Sequence, residues 1–253
     1  MAPAAQPGRF ADVRVLRETG STHREVLEAA RAGAPEGVVV VADHQTAGRG
    51  RRGRAWLAPP GSALLVSVLL RPRLAAAEVH LVTLAAALAA VDACRGVAGV
   101  EPSLKWPNDV VVEGEGGTGK LAGILAESLV AGDVVQAVVV GMGLNVTPAA
   151  ATQPAAVCLE DLAGRGVDRS ALLAAWLEHL DRWYAAVSGP GSRSEVLEAY
   201  RKGCATLGRH VRVELSGGAF EGRALDITAH GSLVVEKGGE TTEVSAADVV
   251  HLR

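Results

Sequence analysis

The stretch Gly48-Arg49-Gly50-Arg51-Arg52-Gly53-Arg54 places four arginines among three glycines. Like charges this close repel one another, so we expect the segment to be mobile until a polyanionic ligand orders it. Glycine lets backbone N–H groups approach a ligand closely, and the planar guanidinium of arginine matches the oxygens of a phosphate. A solvated basic surface loop has the same composition, so this Arg/Gly loop (residues 48–54) alone favours neither interpretation.

Apolar strands are predicted on both sides of the Arg/Gly loop, at residues 38–42 and 64–70. The polar, glycine-rich residues 43–54 between them are not expected to form a regular element. A basic tail would lie at a terminus, whereas this loop lies between two strands. Its position therefore favours a site at the edge of a sheet.

Further from the loop the pattern predicts both helices and strands, with Gly132 and Asp133 at a hairpin turn and Thr22 and Glu25 at capping-box spacing. The predicted helices cover residues 22–31, 78–94, 170–187 and 194–204, and the predicted strands cover residues 110–112, 123–130 and 134–140.

The composition changes near residue 207, where short β-rich runs alternate with glycine-rich turns. These runs cover residues 211–215, 220–227, 233–236 and 243–250, and they predict a small β-barrel. We therefore expect an α+β fold with a disordered lead-in at residues 1–10, one domain at 11–206 and a small β domain at 207–253.

Overall composition excludes several classes of protein. The 253 residues are 49% hydrophobic and 21% charged, as in an ordinary globular protein, and the net charge of −3 argues against binding nucleic acid over the whole surface. Three cysteines without a CxxC pair predict neither a disulfide framework nor a zinc site, and favour a reducing cytoplasm. Glu78 and His80 interrupt the longest apolar run, so we expect no membrane-spanning helix.

Two further segments carry polar groups next to strands. Lys105-Trp106-Pro107-Asn108-Asp109 could hold a nucleotide or its metal ion, although a polar turn with a half-buried tryptophan would look the same. Gly141-Met142-Gly143-Leu144-Asn145 permits close packing against a ligand at a strand end. A plain glycine-rich strand end explains this segment equally well.

The segment from Gly114 to Lys120 superficially fits the phosphate-loop pattern GxxxxGK[ST]. It fails at the last position, because Leu121 has no hydroxyl to hold Mg²⁺. A strand rather than a helix is predicted to follow, so no helix N-terminus faces a phosphate. We interpret residues 114–119 as a flexible hairpin connection and Lys120 as a functional candidate at the start of the next strand.

Taken together and in order, these segments resemble the biotin–protein ligase family. The match is tight over residues 18–145 and loose over the C-terminal module. It rests on Gly20-Ser21-Thr22, on residues 45–54 with Trp56, on residues 105–109, on Lys120-Leu121-Ala122-Gly123-Ile124-Leu125 and on Gly143-Leu144-Asn145.

The resemblance implies a central mixed β-sheet flanked by helices, followed by a small SH3-like β-barrel. Some relatives carry an N-terminal helix-turn-helix domain. Only about ten residues precede the predicted catalytic domain here, so we expect the ligase-only form with no DNA-binding role.

The resemblance also implies a role for each site residue. Lys120, Arg51 and Arg54 are the catalytic candidates, Mg²⁺ enters with ATP, and no residue is assigned to the metal. His23 stands where the family usually has asparagine; we place it in the first helical turn and assign it no catalysis. Biotin is expected to contact Ser21, Thr22, Gln45, Gly48, Arg49, Lys120 and Gly123. ATP and the adenylate are expected to contact Arg49, Arg51, Arg52, Arg54, Trp56, Lys105, Asn108, Asp109 and Asn145.

The expected reaction has two steps. The biotin carboxylate attacks the α-phosphorus of ATP while Lys120 bridges the two anions, and the Arg/Gly loop closes over biotinyl-5′-AMP. The ε-amine of a lysine on a biotin carboxyl carrier domain of a carboxylase then displaces AMP, with Asp109 as a possible base. Whether the protein is a monomer or a homodimer is left open.

Two other functions compete with this interpretation. A lipoate or octanoate ligase shares the general fold and adenylate chemistry, but the polar, arginine-dense residues 45–54 favour biotin. A nucleic-acid-binding module could use the Arg/Gly loop and the β-barrel. The negative net charge and the small number of aromatic residues argue against it.

Overall fold

The computed structural model describes residues 8–114, 117–132, 134–151, 153, 155–189, 192–215, 217–245 and 247–252. Most of the N-terminal part belongs to one sheet. Its strands are β1 (Asp12–Thr19), β2 (Val38–Gln45), β3 (Ala63–Leu70), β4 (Ser103–Lys105), β5 (Asp109–Gly114), β6 (Gly117–Ala131) and β7 (Val134–Asn145). The helices are α1 (Thr22–Arg31), α2 (His80–Ala98), α3 (Leu159–Ala163), α4 (Arg169–Ser188) and α5 (Arg193–Gly203).

The seven strands are ordered β1-β2-β3-β7-β6-β5-β4. The β1–β2 pair is parallel and the other pairs are antiparallel, so the sheet is mixed, as predicted. Central β3 is apolar except for Ser67 and is buried along its whole length. Such a continuous run is typical of a strand that is covered on both faces.

The C-terminal part forms a second sheet of five antiparallel strands in the order β11-β10-β9-β8-β12. This confirms the predicted small β module. Its strands are β8 (His210–Leu215), β9 (Gly218–Ile227), β10 (Leu233–Lys237), β11 (Glu240–Val244) and β12 (Asp248–His251). The predicted run at residues 243–250 is wrong as a single strand, because it is divided between β11 and β12.

Helix α2 is the main apolar element beside the larger sheet. The segment Ala76–Ala98 is long and apolar enough to cross a membrane, although Glu78 and His80 lie within it. However, 78% of its most apolar window is buried inside the protein. The helix packs against α4 and the sheet, which makes it a core helix.

Several local predictions need correction. Strands β1 and β4 were not predicted, and β2 continues through residues 43–45, which were expected to be irregular. The predicted capping box is wrong: Ser21 is the N-cap of α1, and Glu25 accepts a hydrogen bond from Thr19 Oγ1 at 2.6 Å.

The predicted connection at residues 114–119 is also shorter than expected. Gly114 still belongs to β5 and Gly117 already to β6, so Lys120 lies within β6 rather than at its start. Glu115, Gly116 and Asp133 of the predicted turns lie outside the described residues.

The last residues of the predicted disordered lead-in contact the folded part of the chain. Residues 1–7 lie outside the described residues. Arg9, however, pairs with Glu36 and lies 2.5 Å from Asp181, and Phe10 packs against the core.

Candidate active site

A cavity of about 390 Å³ lies where the larger sheet, the Arg/Gly loop and the C-terminal sheet meet. Gly48 and Arg52 do not line it. The other predicted site residues all do: Ser21, Thr22, Arg49, Arg51, Arg54, Gln45, Trp56, Lys105, Asn108, Asp109, Lys120, Gly123 and Asn145. The structure therefore brings together side chains that lie as far apart in the sequence as Ser21 and Asn145.

A chain of hydrogen bonds forms one wall of the cavity. The Thr22 backbone N–H and side-chain O–H both donate to Gln45 Oε1, at 2.7 and 3.0 Å. The Thr22 hydroxyl has only one hydrogen, so in its 2.9 Å contact with Ser67 Oγ it must accept and Ser67 must donate. The direction of the whole chain is thereby fixed, which leaves the Gln45 amide nitrogen and the Ser67 lone pairs for a ligand.

Sequence reasoning missed Ser67, although a signal was present. Ser67 is the polar residue in the otherwise apolar, fully buried β3. A buried hydroxyl needs a hydrogen-bond partner, so a lone serine in such a run indicates a polar contact.

Gly48 contributes by its lack of a side chain. A Cβ at this position would lie 2.5 Å from the Trp56 carbonyl oxygen and 3.0 Å from Gln45 Nε2. Glycine therefore lets the start of the Arg/Gly loop pack directly beside Gln45.

His23 is buried at the edge of this polar wall, with 6% of its surface exposed. It lies in the first turn of α1, as predicted. Neither ring nitrogen has a hydrogen-bond partner among the described residues, and Nε2 lies 3.6 Å from Glu127 Oε2. Burial lowers the pKa of His23, while Glu127 acts in the opposite direction. A neutral imidazole is therefore favoured near neutral pH.

Lys120 reaches into the middle of the cavity from β6. Its Nζ lies 2.6 Å from Asp109 Oδ1, as an ion pair outside hydrogen-bond angles, and 5.7 Å from the centroid of the Trp56 ring. Burial lowers the pKa of neighbouring Lys105, and the Asp109 carboxylate acts in the opposite direction. Asp109 thus neutralises part of the positive charge here.

Two glycines form a flat floor under Trp56. Gly123 of β6 and Gly143 of β7 are directly opposite each other in the sheet. A Cβ on Gly143 would lie 2.7 Å from Trp56 Cζ2 and Nε1, and one on Gly123 would lie 3.1 Å from Cζ3. The indole therefore rests on bare backbone, and its buried Nε1 has no hydrogen-bond partner among the described residues.

The side-chain amides of Asn108 and Asn145 each donate a hydrogen bond to a backbone carbonyl rather than to each other. Asn108 Nδ2 donates to the Ile124 carbonyl at 2.7 Å, and Asn145 Nδ2 donates to the Val157 carbonyl at 3.1 Å. Trp106 is fully buried, and its Nε1 donates to the Gly231 carbonyl at 3.0 Å. This part of the motif joins the larger sheet to the C-terminal module.

The Arg/Gly loop folds back on itself. Gly50 N–H donates to the Arg54 carbonyl at 2.7 Å, and Trp56 N–H donates to the Gly48 carbonyl at 3.0 Å. Arg52 adopts a left-handed conformation, with φ of 55°. The loop is therefore a compact turn that its own backbone hydrogen bonds close.

Three arginine side chains of this loop point to one carboxylate on β12. Asp248 Oδ1 lies 3.6 Å from Arg51 Nη1, Asp248 Oδ2 lies 3.4 Å from Arg52 Nη1, and Arg54 also pairs with Oδ2. Asp248, which was not predicted as a site residue, thus contacts three arginines of the loop.

Two carbonyls of the C-terminal sheet region add to this attachment. Arg51 Nη1 donates to the Ala247 carbonyl at 3.1 Å, and Arg52 Nη1 donates to the Glu214 carbonyl at 3.2 Å. The arginine that does not line the cavity, Arg52, is therefore turned toward the second sheet.

The carboxylates of the cavity do not form a metal site. No group of three or more His, Cys, Asp or Glu side chains suited to a metal ion occurs in the part of the chain that the structure describes. Asp109 and Asp248 are both paired with cations. These residues therefore do not fit a protein-held Mg²⁺.

Two family models match the chain. Residues 15–145 match the "Biotin/lipoate A/B protein ligase family", and residues 206–252 match the "Biotin protein ligase C terminal domain".

Individual relatives agree with these models. The biotin–[acetyl-CoA-carboxylase] ligase of Mycobacterium tuberculosis is 41% identical over 94% of this chain and 88% of its own length. The bifunctional ligase/repressor BirA of Bacillus subtilis is 34% identical over 90% of this chain and 70% of its own length. A biotin protein ligase from Aquifex aeolicus, solved in complex with biotin and ATP, has a TM-score of 0.79 at 25% identity, with 96% of this chain and 100% of that chain covered.

Proposed function

The chain belongs to the biotin–protein ligase family, and we propose that the residues of its cavity carry out both steps of protein biotinylation. The activity is that of a biotin–[acetyl-CoA-carboxylase] ligase, which proceeds through biotinyl-5′-AMP. The observation that carries the assignment of residues is the composition of the cavity lining. It combines a neutral, hydrogen-bonded wall of Thr22, Gln45 and Ser67 with cations of the Arg/Gly loop and with Lys120.

The neutral wall suits the ureido ring of biotin. A cyclic urea has N–H donors and a carbonyl acceptor, and the wall supplies both types of partner. In our proposal Ser67 accepts and the Gln45 amide donates, because Thr22 fixes their orientations. Ser21, Arg49 and Gly123 would border the rest of the bicyclic ring and its chain, while Gly48 would let the loop begin directly beside Gln45.

The carboxylate end of biotin would meet Lys120. Its side chain is 42% exposed, and its ion pair with Asp109 is poorly aligned. We propose that Lys120 turns from Asp109 to bridge the biotin carboxylate and the α-phosphate. A carboxylate oxygen then forms a bond to the α-phosphorus, the bond to the bridging oxygen breaks, and pyrophosphate leaves. Arg51 and Arg54 would offset the charge that develops during this step.

The nucleotide would lie between Trp56 and the Lys105–Asp109 segment. The Trp56 indole already rests on the glycine floor, so adenine would stack on its free face or replace it there. In our proposal Lys105 and the amides of Asn108 and Asn145 border the nucleotide. Arg52 contributes indirectly, by attaching the loop to the C-terminal sheet. Since no protein cage for Mg²⁺ is present among the described residues, Mg²⁺ would arrive already bound to the phosphates of ATP.

In the second step the acceptor amine attacks the acyl carbon and AMP leaves. We propose that the acceptor is the lysine of a biotin carboxyl carrier domain, as the name of the Mycobacterium relative suggests. Asp109 remains our candidate base, since it would be free of Lys120 at this stage. Cys94, Cys158 and Cys204 are buried free thiols, which supports a reducing cytoplasmic location.

Isothermal titration tests the proposal. We expect biotin to bind, a non-hydrolysable ATP analogue to bind more tightly after biotin, and lipoate to give no heat. Biotin-dependent exchange between pyrophosphate and ATP should then be measurable. Binding of lipoate in place of biotin would reassign the cavity to the related ligases, and binding of neither would refute the assignment.

A further inference from the structure

Asp248 is an acidic residue within a cluster of cations. It is 14% exposed and lies close to the guanidinium groups of Arg51, Arg52 and Arg54. A single carboxylate cannot neutralise three guanidinium groups, so two positive charges remain in excess. Burial lowers the pKa of Arg51, but Asp248 acts in the opposite direction, and an arginine stays charged near neutral pH.

The remaining charges of the cavity increase this excess. The Lys120–Asp109 pair is neutral, whereas Lys105 and Arg49 add two positive charges and Glu214 adds one negative charge. ATP with its Mg²⁺ carries about two negative charges at neutral pH, and the phosphate of an acyl adenylate carries one. The negative charge available to the loop therefore falls when pyrophosphate leaves.

We infer that Asp248 is a positioning residue that competes with the polyphosphate for the arginines and takes them back when pyrophosphate leaves. The inference rests on the proposed function. Before ATP binds, Asp248 holds the Arg/Gly loop against the C-terminal sheet. The triphosphate displaces it from at least part of this contact. Once pyrophosphate has gone, Asp248 replaces the lost negative charge and keeps the loop over the reactive adenylate.

The geometry allows the charge of Asp248 to be removed without detaching the loop. Arg51 and Arg52 also donate to the carbonyls of Ala247 and Glu214, and these contacts do not depend on the carboxylate. Asp248→Asn keeps the shape of the side chain and one acceptor oxygen. A change in nucleotide binding would then report the lost charge rather than a lost fold.

The test measures two quantities that should move in opposite directions. In Asp248→Asn we expect the Kd of ATP and the inhibition constant of inorganic pyrophosphate to fall about fivefold, the scale of one partly exposed ion pair. Enzyme-bound biotinyl-5′-AMP, isolated by gel filtration after pyrophosphatase treatment, should be lost about fivefold faster. Asp248→Glu should restore both values toward those of the parent protein.

Glu214 provides a matched control. It lies opposite Asp248 in the β8–β12 pair, and its side chain faces Arg212 at 3.7 Å rather than the loop arginines. Glu214→Gln removes the same charge from the same rim and should change neither quantity by more than about twofold. An equal effect in Glu214→Gln would mean that general electrostatics alone is responsible, and would overturn the inference.

The remaining outcomes are equally decisive. Weaker or unchanged binding of ATP and pyrophosphate in Asp248→Asn would show that Asp248 does not compete with the polyphosphate for the arginines. Unchanged retention of the adenylate would show that Asp248 does not take the arginines back after pyrophosphate leaves. Failure of the unaltered protein to form any adenylate would instead refute the proposed function. The unaltered protein therefore distinguishes the two failures.

Discussion

Replacing Lys120 with alanine removes the cation placed between the two expected substrates. Its Nζ lies 2.6 Å from Asp109 Oδ1 and is the nearest cation to that carboxylate. We expect the rate of biotin-dependent pyrophosphate exchange to fall about 10²–10³-fold, because a charge-assisted contact made in the transition state contributes about 2.7–4 kcal/mol.

The effect on stability should be much smaller. The two side chains of the pair are 42% and 22% exposed, so solvent screens their attraction. We expect Lys120→Ala to lower the free energy of unfolding by about 1 kcal/mol. For a chain of this size that corresponds to a fall in Tm of about 2–4 °C.

A second substitution separates folding from catalysis. In Lys120→Ala the Asp109 carboxylate is left without its partner. In the double variant, Lys120→Ala with Asp109→Asn, an uncharged amide replaces this carboxylate. The double variant should regain most of the lost Tm and none of the lost exchange rate. Thermal unfolding and exchange measured on the same samples provide both values.

Lys237 offers a control with similar local geometry. Its Nζ also lies 5.7 Å from the centroid of an aromatic ring, that of Phe220, but on the C-terminal sheet and away from the cavity. Lys237→Ala should retain the exchange rate of the parent protein. A normal exchange rate in folded Lys120→Ala would refute the assigned role of Lys120.

Three further predictions follow from single contacts. In Gly143→Ala the new Cβ would overlap Trp56, so adenylate formation should fall more than tenfold, while Gly123→Ala should have a weaker effect on the same exchange assay. Ser67→Ala should raise the Kd of biotin about fivefold by titration, since the hydrogen bond it removes contributes about 1 kcal/mol. Burial lowers the pKa of His80 to about 4, so its neutral form favours the folded state above pH 6.5 and this stability is lost as pH falls toward 4. Between pH 7 and pH 5 the parent protein should lose about 2 kcal/mol more stability in urea unfolding than His80→Gln, because His23 and His251, whose pKa burial also lowers, titrate in both proteins.

The polar candidates could be predicted because their signals are local. Gln45, Lys120 and the Arg/Gly loop are recognisable by residue type and spacing along the chain. The strands that carry them are continuous apolar runs, such as β3 (Ala63–Leu70). Neither signal needs knowledge of distant residues.

Strand β1 (Asp12–Thr19) was missed because it is an edge strand. Only Val13 and Val15 alternate with polar residues, and the remaining side chains are mostly polar, so the apolar pattern is too short to predict a strand. It is held to β2 by parallel backbone pairing, which the side-chain pattern does not report. Edge strands of this kind are defined by their neighbours rather than by their own residues.

Asp248 was missed for a different reason. It lies 194 residues from Arg54 along the chain, and the contact exists only once the C-terminal sheet packs beside the cavity. The chain contains 28 acidic residues, and the composition of the loop favours all of them equally as partners. The sequence predicted that the arginines need an anion, and the structure shows that the protein supplies one itself. Exchange of this internal anion for a polyphosphate is therefore a property of the packed structure, which no local pattern could have indicated.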